Sequence, residues 1–155
     1  MYDKTVTVFS SYENSETDDT YWYPQVLSNV DLNTDRGAII KKYGHDTADN
    51  AQLHILYGTD KTGQKVIPGK DGSAIPWLPP KEWQKQPEEL LPETITFSPE
   101  SSFFWEGEWE GGVVNDGDYR AGFYQYMNQN EDNVYKITSV GGPYSLIPHF
   151  EILGK

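Results

Sequence analysis

The chain has 155 residues, a length that suits one domain with a modest hydrophobic core. Its 24 acidic and 12 basic residues give a formal net charge of -12, which disfavours binding to nucleic-acid phosphates and to anionic membrane surfaces. The chain contains no cysteine, which excludes disulfides, thiolate nucleophiles and cysteine-ligated metal sites.

Period-two alternation predicts three strands in the first half of the chain. The first spans residues 4–13 and the second residues 20–33, where Pro24 must lie at a sheet edge, a bulge or a strand start because proline has no N–H to donate. The third spans residues 51–59, with one apolar face formed by Ala51, Leu53, Ile55 and Tyr57. The polar, acidic residues 14–20 predict a mobile loop, since they have nothing apolar to bury.

Two helices are predicted. A short one at about 35–43 has an acid near its start, lysines near its end and Gly44 as a left-handed cap. A clearer one at about 118–128 has Asp118 as its cap, and its apolar stripe at helical spacing consists of Tyr119, Phe123, Tyr126 and Met127.

Residues 60–94, here called the Pro-rich insertion, contain six of the ten prolines. They predict a hairpin-like excursion, an irregular crossing and one helical turn near Pro79–Pro80. Further strands are predicted at 94–97 and 102–109, followed by a terminal strand pair joined by a turn at Gly141–Tyr144. The whole chain, 1–155, is predicted to be a single mainly β (α+β) domain, a small antiparallel β-barrel or sandwich.

The run FFWEGEWEGG, Phe103 to Gly112, places three glutamates near two tryptophans. Carboxylates two residues apart on a strand are about 6.5–7 Å apart, a spacing compatible with an inverting glycosidase. Strand alternation, however, puts the tryptophans and the glutamates on opposite faces. We therefore expect the tryptophans to lie in the core and the glutamates to form a solvent-facing interaction surface. The predicted interaction residues are the acids of this run and those in and beside the loop at 14–20, namely Glu106, Glu108, Glu110, Glu13, Glu16, Asp18 and Asp19.

No pattern predicts a catalytic, cofactor or metal site, and we expect a protein that is not an enzyme. An EF-hand-like run at 31–42 has Arg36 where glycine is needed and Lys42 where the bidentate glutamate is needed. The three histidines lack metal-ligand spacing, and the two in predicted strands, His54 and His149, are typical of partly exposed sheet positions.

The N-terminal residues lack the features of a signal peptide, and no run reaches the roughly 20 apolar residues of a membrane helix. We therefore expect neither a signal peptide nor a membrane-spanning helix. Two other functions remain open at this point. Clustered aromatics around Trp22, Trp105 and Trp109 suggest a carbohydrate-binding module, and the acidity suggests an imitator of DNA that occupies a host DNA-binding protein.

Several segments together resemble a family of uncharacterised proteins from tailed phages and prophages of Gram-positive bacteria. The resemblance covers nearly the full length, and the segments that carry it are 4–33, PWLPPKEWQ at 76–84, FFWEGEW at 103–109, 118–128 and 134–155. The order of TVTVF, YWYPQVLSNV, LHILY and YKITSV is also loosely similar to that in siphophage head-completion or stopper proteins.

The resemblance implies a virion structural protein of the head–tail connector or neck, assembled as a homo-oligomeric ring in the host cytoplasm. Its partners would be the neighbouring portal, adaptor or tail proteins, and an acidic face could line a DNA channel. The Pro-rich insertion and the helix at 118–128 depart from the head-completion pattern, so adaptor, stopper, tail-terminator and minor capsid positions all stay open.

Overall fold

The computed structural model describes all residues from Met1 to Lys155. Ten strands, three α-helices and two 3-10 turns follow one another along the chain. In chain order they are β1 (Lys4–Glu13), β2 (Thr20–Asn33), α1 (Arg36–Tyr43), β3 (Ala51–Leu56), β4 (Gly58–Thr59), β5 (Lys65–Pro68), β6 (Ala74–Pro76), α2 (Pro80–Gln84), a 3-10 turn (Glu88–Glu93), β7 (Ser102–Trp105), β8 (Val114–Asn115), a 3-10 turn (Asp116–Asp118), α3 (Phe123–Asn130), β9 (Val134–Tyr144) and β10 (His149–Gly154).

Seven strands form one antiparallel sheet in the order β1-β7-β9-β10-β3-β2-β8. The long strand β2 pairs with β1 along most of its length and with β3 at its far end, so the sheet curls back on itself. The sheet is therefore partly ring-like, but it is not a barrel. The predicted mainly β class with a few helices is confirmed.

The core has two main parts, on opposite faces of β7. A cluster of 15 buried residues, which includes Phe104, Phe150 and Leu53, fills the concave side of the sheet. A second cluster joins Phe9 and Phe103 to α3. Because full burial of one such side chain stabilises the fold by about 1.5–3 kcal/mol, these clusters hold α3 and the sheet together.

Two of the three strands predicted in the first half agree with the structure, whereas the third, predicted over 51–59, is divided: β3 ends at Leu56, and Gly58–Thr59 form β4 of the separate three-stranded sheet. β1 and β2 have the predicted bounds. Pro24 lies opposite Phe9 of β1, beyond the end of the short pairing of Tyr21 and Trp22 with β8. At Pro24, β2 therefore has a strand neighbour on one side only, and the missing N–H costs no ladder hydrogen bond.

The short predicted helix is confirmed as α1, with Asp35 accepting a hydrogen bond from the Ala38 N–H and Gly44 ending the helix at φ 94°. The longer helix was predicted five residues too early. It begins at Phe123 because Asp116, and not Asp118, accepts the hydrogen bond from the Phe123 N–H. The residues in front of it form a 3-10 turn instead.

The second half contains two further corrections. Residues 94–97 are not a strand, since a single bridge pairs Ile95 with Trp77. The segment Gly141–Tyr144 belongs to β9, and the chain turns at 145–148, because Tyr144 pairs with His149 across a ladder with register shifts. The Pro-rich insertion forms the predicted hairpin excursion as the small sheet β4-β5-β6, followed by the predicted helical turn α2.

None of the helices has the length and hydropathy needed to cross a bilayer.

Candidate functional site

The acidic hairpin loop joins β1 to β2 and exposes Glu13, Glu16, Asp18 and Asp19 to solvent. Asn14 organises the loop. Its side-chain oxygen accepts from the Glu16 N–H at 2.9 Å, and its backbone N–H donates to the Asp19 carbonyl at 2.8 Å. The segment predicted to be a mobile loop therefore carries a defined set of hydrogen bonds, which present the four carboxylates together.

The second group of predicted acids lies beyond the end of β7, not on a strand. β7 stops at Trp105, so strand alternation cannot sort the residues after it. Instead, the chain folds back over β1, where the buried Thr7 hydroxyl donates to the Gly107 carbonyl at 2.8 Å and accepts from the Trp109 N–H at 3.0 Å. The predicted strand over 102–109 is wrong in its second half.

Two of these three acids have basic partners. Glu106 lies 4.0 Å from the ammonium of Lys4, and Glu108 forms an ion pair with Lys70 from the β5–β6 turn. Glu110 is exposed and forms no ion pair. Since two of its three carboxylates are partly neutralised, this segment is a weaker acidic surface than its sequence suggests.

The structure does not bring the two acidic groups together. Glu106 pairs with Lys4 at the start of β1, whereas Glu13 is the last residue of that strand. Nine residues of extended chain span about 30 Å. The predicted interaction residues therefore form two separate patches and no continuous row of carboxylates.

The tryptophans are packed into the protein, as the sequence predicts. Trp22 is buried and its indole N–H donates to Asp116 at 2.9 Å. The rings of Trp105 and Trp109 each lie over the glycine two residues later, so that a Cβ at Gly107 would be 2.4 Å from the Trp105 ring. The twice-repeated Trp-Glu-Gly is therefore a packing motif in which glycine makes room for the ring.

A polar cluster that the sequence analysis missed surrounds Glu151 of β10; we call it the Glu151 cluster. One carboxylate oxygen accepts from the Lys42 ammonium at 2.5 Å, the Tyr43 hydroxyl at 2.5 Å and the Gln52 amide at 2.8 Å. His54 Nε2 lies 3.6 Å from the same oxygen. Helix α1 supplies two of the three donors and β3 supplies the Gln52 amide, so Glu151 ties α1 to the sheet.

The ionisation of the Glu151 cluster follows from these contacts. Burial acts to raise the pKa of Glu151, but hydrogen bonds from Lys42 and Tyr43 outweigh it and hold the pKa at about 2. Burial and the bond to Glu151 raise the pKa of Tyr43 to about 12. Burial lowers the pKa of His54, against the attraction of Glu151. Near neutral pH, Glu151 is therefore an ionised carboxylate held by structural hydrogen bonds.

The sequence held one indication of the Glu151 cluster. Gln52 and His54 alternate on the polar face of β3, and Glu151 pairs in register with His54. What the sequence could not show is that α1 packs over this face. A cleft of about 200 Å³ lies beside it, between Tyr43, Tyr144 and Glu151. No group of three or more His, Asp or Glu side chains is arranged to hold a metal ion.

The turn between β9 and β10 exposes two neighbouring large aliphatic side chains and a tyrosine. We call residues 144–149 the β9–β10 tip. Leu146 and Ile147 are 85% and 72% exposed, and Tyr144 is 43% exposed. The tip is held in place by hydrogen bonds from the Tyr57 hydroxyl to the Tyr144 carbonyl at 2.9 Å and from the Tyr57 N–H to the Pro148 carbonyl at 3.3 Å. It is an apolar surface presented by a fixed backbone.

A second distinctive surface is a cleft of about 400 Å³ in front of α3, which we call the α3 cleft. Its aromatic wall is formed by Tyr119 and Tyr126, whose ring centroids are 4.7 Å apart. Arg120, Ala121, Gly122 and Gln129 complete it. Tyr and Arg are the residue types that most often dominate protein–protein contacts.

A third depression, of about 610 Å³, is polar. It lies between β1 and α2, and the side chains that line it include those of Lys81, Lys85 and Ser101. Pro80 provides its single apolar side chain. Pockets that bind small molecules are usually lined mainly by apolar groups, so this depression is a weaker candidate than the other two surfaces.

Fold and surfaces together define an acidic, mainly β protein with a rigid apolar tip, an aromatic cleft and a structural carboxylate cluster. The whole chain, residues 1–155, matches the family DUF6751, described as a family of unknown function, and the protein belongs to that family. No curated protein and no solved structure matches the chain.

Proposed function

We propose that this protein is a non-catalytic structural subunit of the head–tail connector, or neck, of a tailed phage, where it assembles as a ring. The observation that carries the assembly role is the β9–β10 tip. Leu146 and Ile147 are adjacent aliphatic side chains that are 85% and 72% exposed, with the half-exposed Tyr144 beside them, and contiguous exposed apolar groups mark interaction surfaces. Covering them with another protein would remove apolar surface from water.

The rigidity of the tip supports the same role. Tyr144 and His149 stack with ring centroids 5.0 Å apart, and His149 Nδ1 lies 2.6 Å from the Ile147 carbonyl. A surface that is already ordered loses little conformational entropy when it binds. Such preorganisation suits a permanent contact in a particle.

The phage setting rests on the sequence resemblance, whose segments fall on particular elements of the fold. They include β1 and β2, the motif after β7, and β9 with β10. The resembling segments thus supply much of the framework and the whole of the β9–β10 tip. The neighbouring partners would be portal, adaptor or tail proteins in the virion, after assembly in the host cytoplasm.

The acidic hairpin loop fits a place facing the channel of such a ring. Glu13, Glu16, Asp18 and Asp19 are exposed and form no ion pair. A ring of such loops would create a strongly negative lumen, which repels DNA phosphates and lets the duplex slide without sticking.

The two rival functions have less support. A carbohydrate module needs exposed aromatic platforms, but Trp22 and Trp83 are buried and the other tryptophans pack on core clusters. A DNA imitator needs carboxylates in regular rows, but the seven predicted interaction acids lie in two patches at opposite ends of β1.

The proposal is tested by mass spectrometry of particles purified after induction of a lysogen that encodes the chain. We expect the protein in washed particles at a fixed copy number relative to the portal protein. Deletion of its gene should yield filled heads that lack attached tails, with plaque formation restored by a copy in trans. Absence from washed particles, or normal titres after deletion, would overturn the proposal.

A further inference from the structure

The β9–β10 tip exposes aliphatic side chains, and the α3 cleft is a depression with an aromatic wall. The tip projects two aliphatic side chains, those of Leu146 and Ile147, beyond the sheet. The cleft offers about 400 Å³ bounded on one side by the rings of Tyr119 and Tyr126. That volume lies in the range of about 300–1,000 Å³ that accommodates whole ligands, so two aliphatic side chains fit within it.

The tip and the cleft lie at opposite ends of one strand. Helix α3 ends at Asn130, four residues before β9 begins, whereas the tip starts where β9 ends at Tyr144. Ten residue steps of extended strand span about 33 Å. A tip therefore cannot reach the cleft of its own chain, but it can reach the cleft of another copy.

Charge also favours contact between two copies at these surfaces. Two copies with a net charge of -12 repel each other wherever their acids meet. The residues from Val140 to Phe150 include no acid and no lysine or arginine. The α3 cleft has Arg120 as its single charged lining residue. Because the tip has no carboxylate of its own, it can approach the cleft and the neighbouring carboxylates of Asp116 and Asp118 without meeting like charge.

We propose that Leu146 and Ile147 of one copy insert into the α3 cleft of the next copy, against Tyr119 and Tyr126. Because the two contact surfaces differ, the contact is heterologous, and each copy keeps a free tip and a free cleft for further neighbours. Repetition yields a closed ring when the rotation between copies closes. This contact deepens the proposed function, and rests on it for the ring as the assembled form.

The test uses two variants that each place one carboxylate at an exposed position in the contact. Leu146→Glu alters the tip, and Ala121→Glu alters the cleft. Leu90→Glu is the matched control, since Leu90 is an exposed leucine away from both surfaces and the added charge is the same. Circular dichroism and thermal unfolding establish that all three variants fold.

Sedimentation velocity over a concentration series is the measurement. We expect the wild type and Leu90→Glu to self-associate alike, and each contact variant to associate at least about 30-fold more weakly, as for loss of an interface hot spot. An equimolar mixture of Leu146→Glu and Ala121→Glu should form dimers and nothing larger. In that mixture one intact tip and one intact cleft remain to pair.

The other outcomes discriminate between the proposals. Assembly of Leu146→Glu at wild-type strength, or a wild type that stays monomeric, would overturn the contact, whatever the particles contain. Loss of assembly in both variants without dimers in the mixture would also overturn it. That result would indicate a contact between identical surfaces of two copies, which mixing the two variants cannot restore. If the variants show the expected tip-to-cleft assembly but the protein is absent from virions, the phage proposal is overturned and the contact stands.

Discussion

Glu151 of β10 links three elements of the fold through one side chain. Its carboxylate accepts hydrogen bonds from Lys42 and Tyr43 of α1 and from Gln52 of β3. Replacing it by Gln removes the charge and sets an amide N–H₂ against donors. We expect Glu151→Gln to lower the free energy of unfolding by about 1.5–3 kcal/mol, the range for hydrogen bonds to a charged group.

Urea unfolding near neutral pH checks this, with Glu93→Gln as the control. Glu93 is exposed and its carboxylate has no hydrogen-bond or ion-pair partner, so that variant should differ from wild type by less than about 0.5 kcal/mol. If both variants lose the same free energy of unfolding, the Glu151 cluster makes no specific contribution to stability.

The same residue predicts how stability depends on pH. The pKa of Glu151 is about 2 in the folded protein, below its ordinary value of 4.5. Its contribution is therefore fully present above about pH 4.5 and is lost as the pH falls towards 2. The lowered pKa of His54 acts in the same direction below its ordinary value of 6.5, because the unfolded chain takes up that proton more readily.

Urea unfolding at a series of pH values checks this second prediction. We expect the free energy of unfolding to fall on acidification from neutral pH, in two stages. The Glu151→Gln variant should lose the steeper fall below about pH 4.5 and keep the shallower one above it. Parallel curves for wild type and variant would contradict the assignment of the acid step to Glu151.

At the scale of elements, Asp116 joins α3 to the sheet. Its Oδ1 accepts from the Trp22 indole N–H at 2.9 Å and from the Phe123 N–H at 2.8 Å. Asp116→Ala removes the acceptor for the first turn of α3 and leaves a largely buried indole N–H unpaired. We expect a loss of about 2–3 kcal/mol, from a helix cap of about 1 kcal/mol and an unsatisfied donor of about 1–2 kcal/mol.

Chemical denaturation followed by tryptophan fluorescence measures this loss. Asp118→Ala is the matched control, since Asp118 is two residues away, is exposed and has no hydrogen-bond partner for its side chain. The indole N–H resonance of Trp22 should also shift in Asp116→Ala and stay in place in Asp118→Ala. A stable Asp116→Ala variant with an unchanged Trp22 resonance would show that Asp116 does not join α3 to the sheet.

The elements that the sequence predicted best are those determined by local pattern. β1, β2 and α1 have clear alternation or caps, and their bounds agree with the structure. The elements that were misplaced depend on contacts between distant residues. α3 begins where Asp116 accepts from the Phe123 N–H, and β7 ends where Thr7, about 100 residues away in sequence, holds the following segment.

At the scale of the whole molecule, the sequence predicted the class of the fold but little of its surfaces. The Glu151 cluster combines residues from three elements that pattern alone cannot place together. The β9–β10 tip was hidden because the glycines and proline at 141–143 are strong turn formers, whereas the chain turns two residues after them. Composition could predict the net charge, but it could not predict that the β9–β10 tip carries no charged side chain.

That charge gives the last prediction, which concerns the isolated subunit. A net charge of -12 destabilises the compact state by self-repulsion. Raising NaCl from about 0.05 M to about 0.5 M shortens the screening length to a few ångströms, so we expect the thermal midpoint to rise by several degrees. Circular dichroism at low protein concentration measures this without contribution from self-association.

A variant with reduced charge separates screening from other effects of salt. Four exposed glutamates whose carboxylates have no partners can be changed to Gln together, namely Glu16, Glu89, Glu93 and Glu131. Because the variant has four fewer negative charges to screen, its thermal midpoint should start higher at low salt and rise less on addition of NaCl. An equal rise in both proteins would mean that salt acts through the solvent, and that self-repulsion does not limit the stability of this fold.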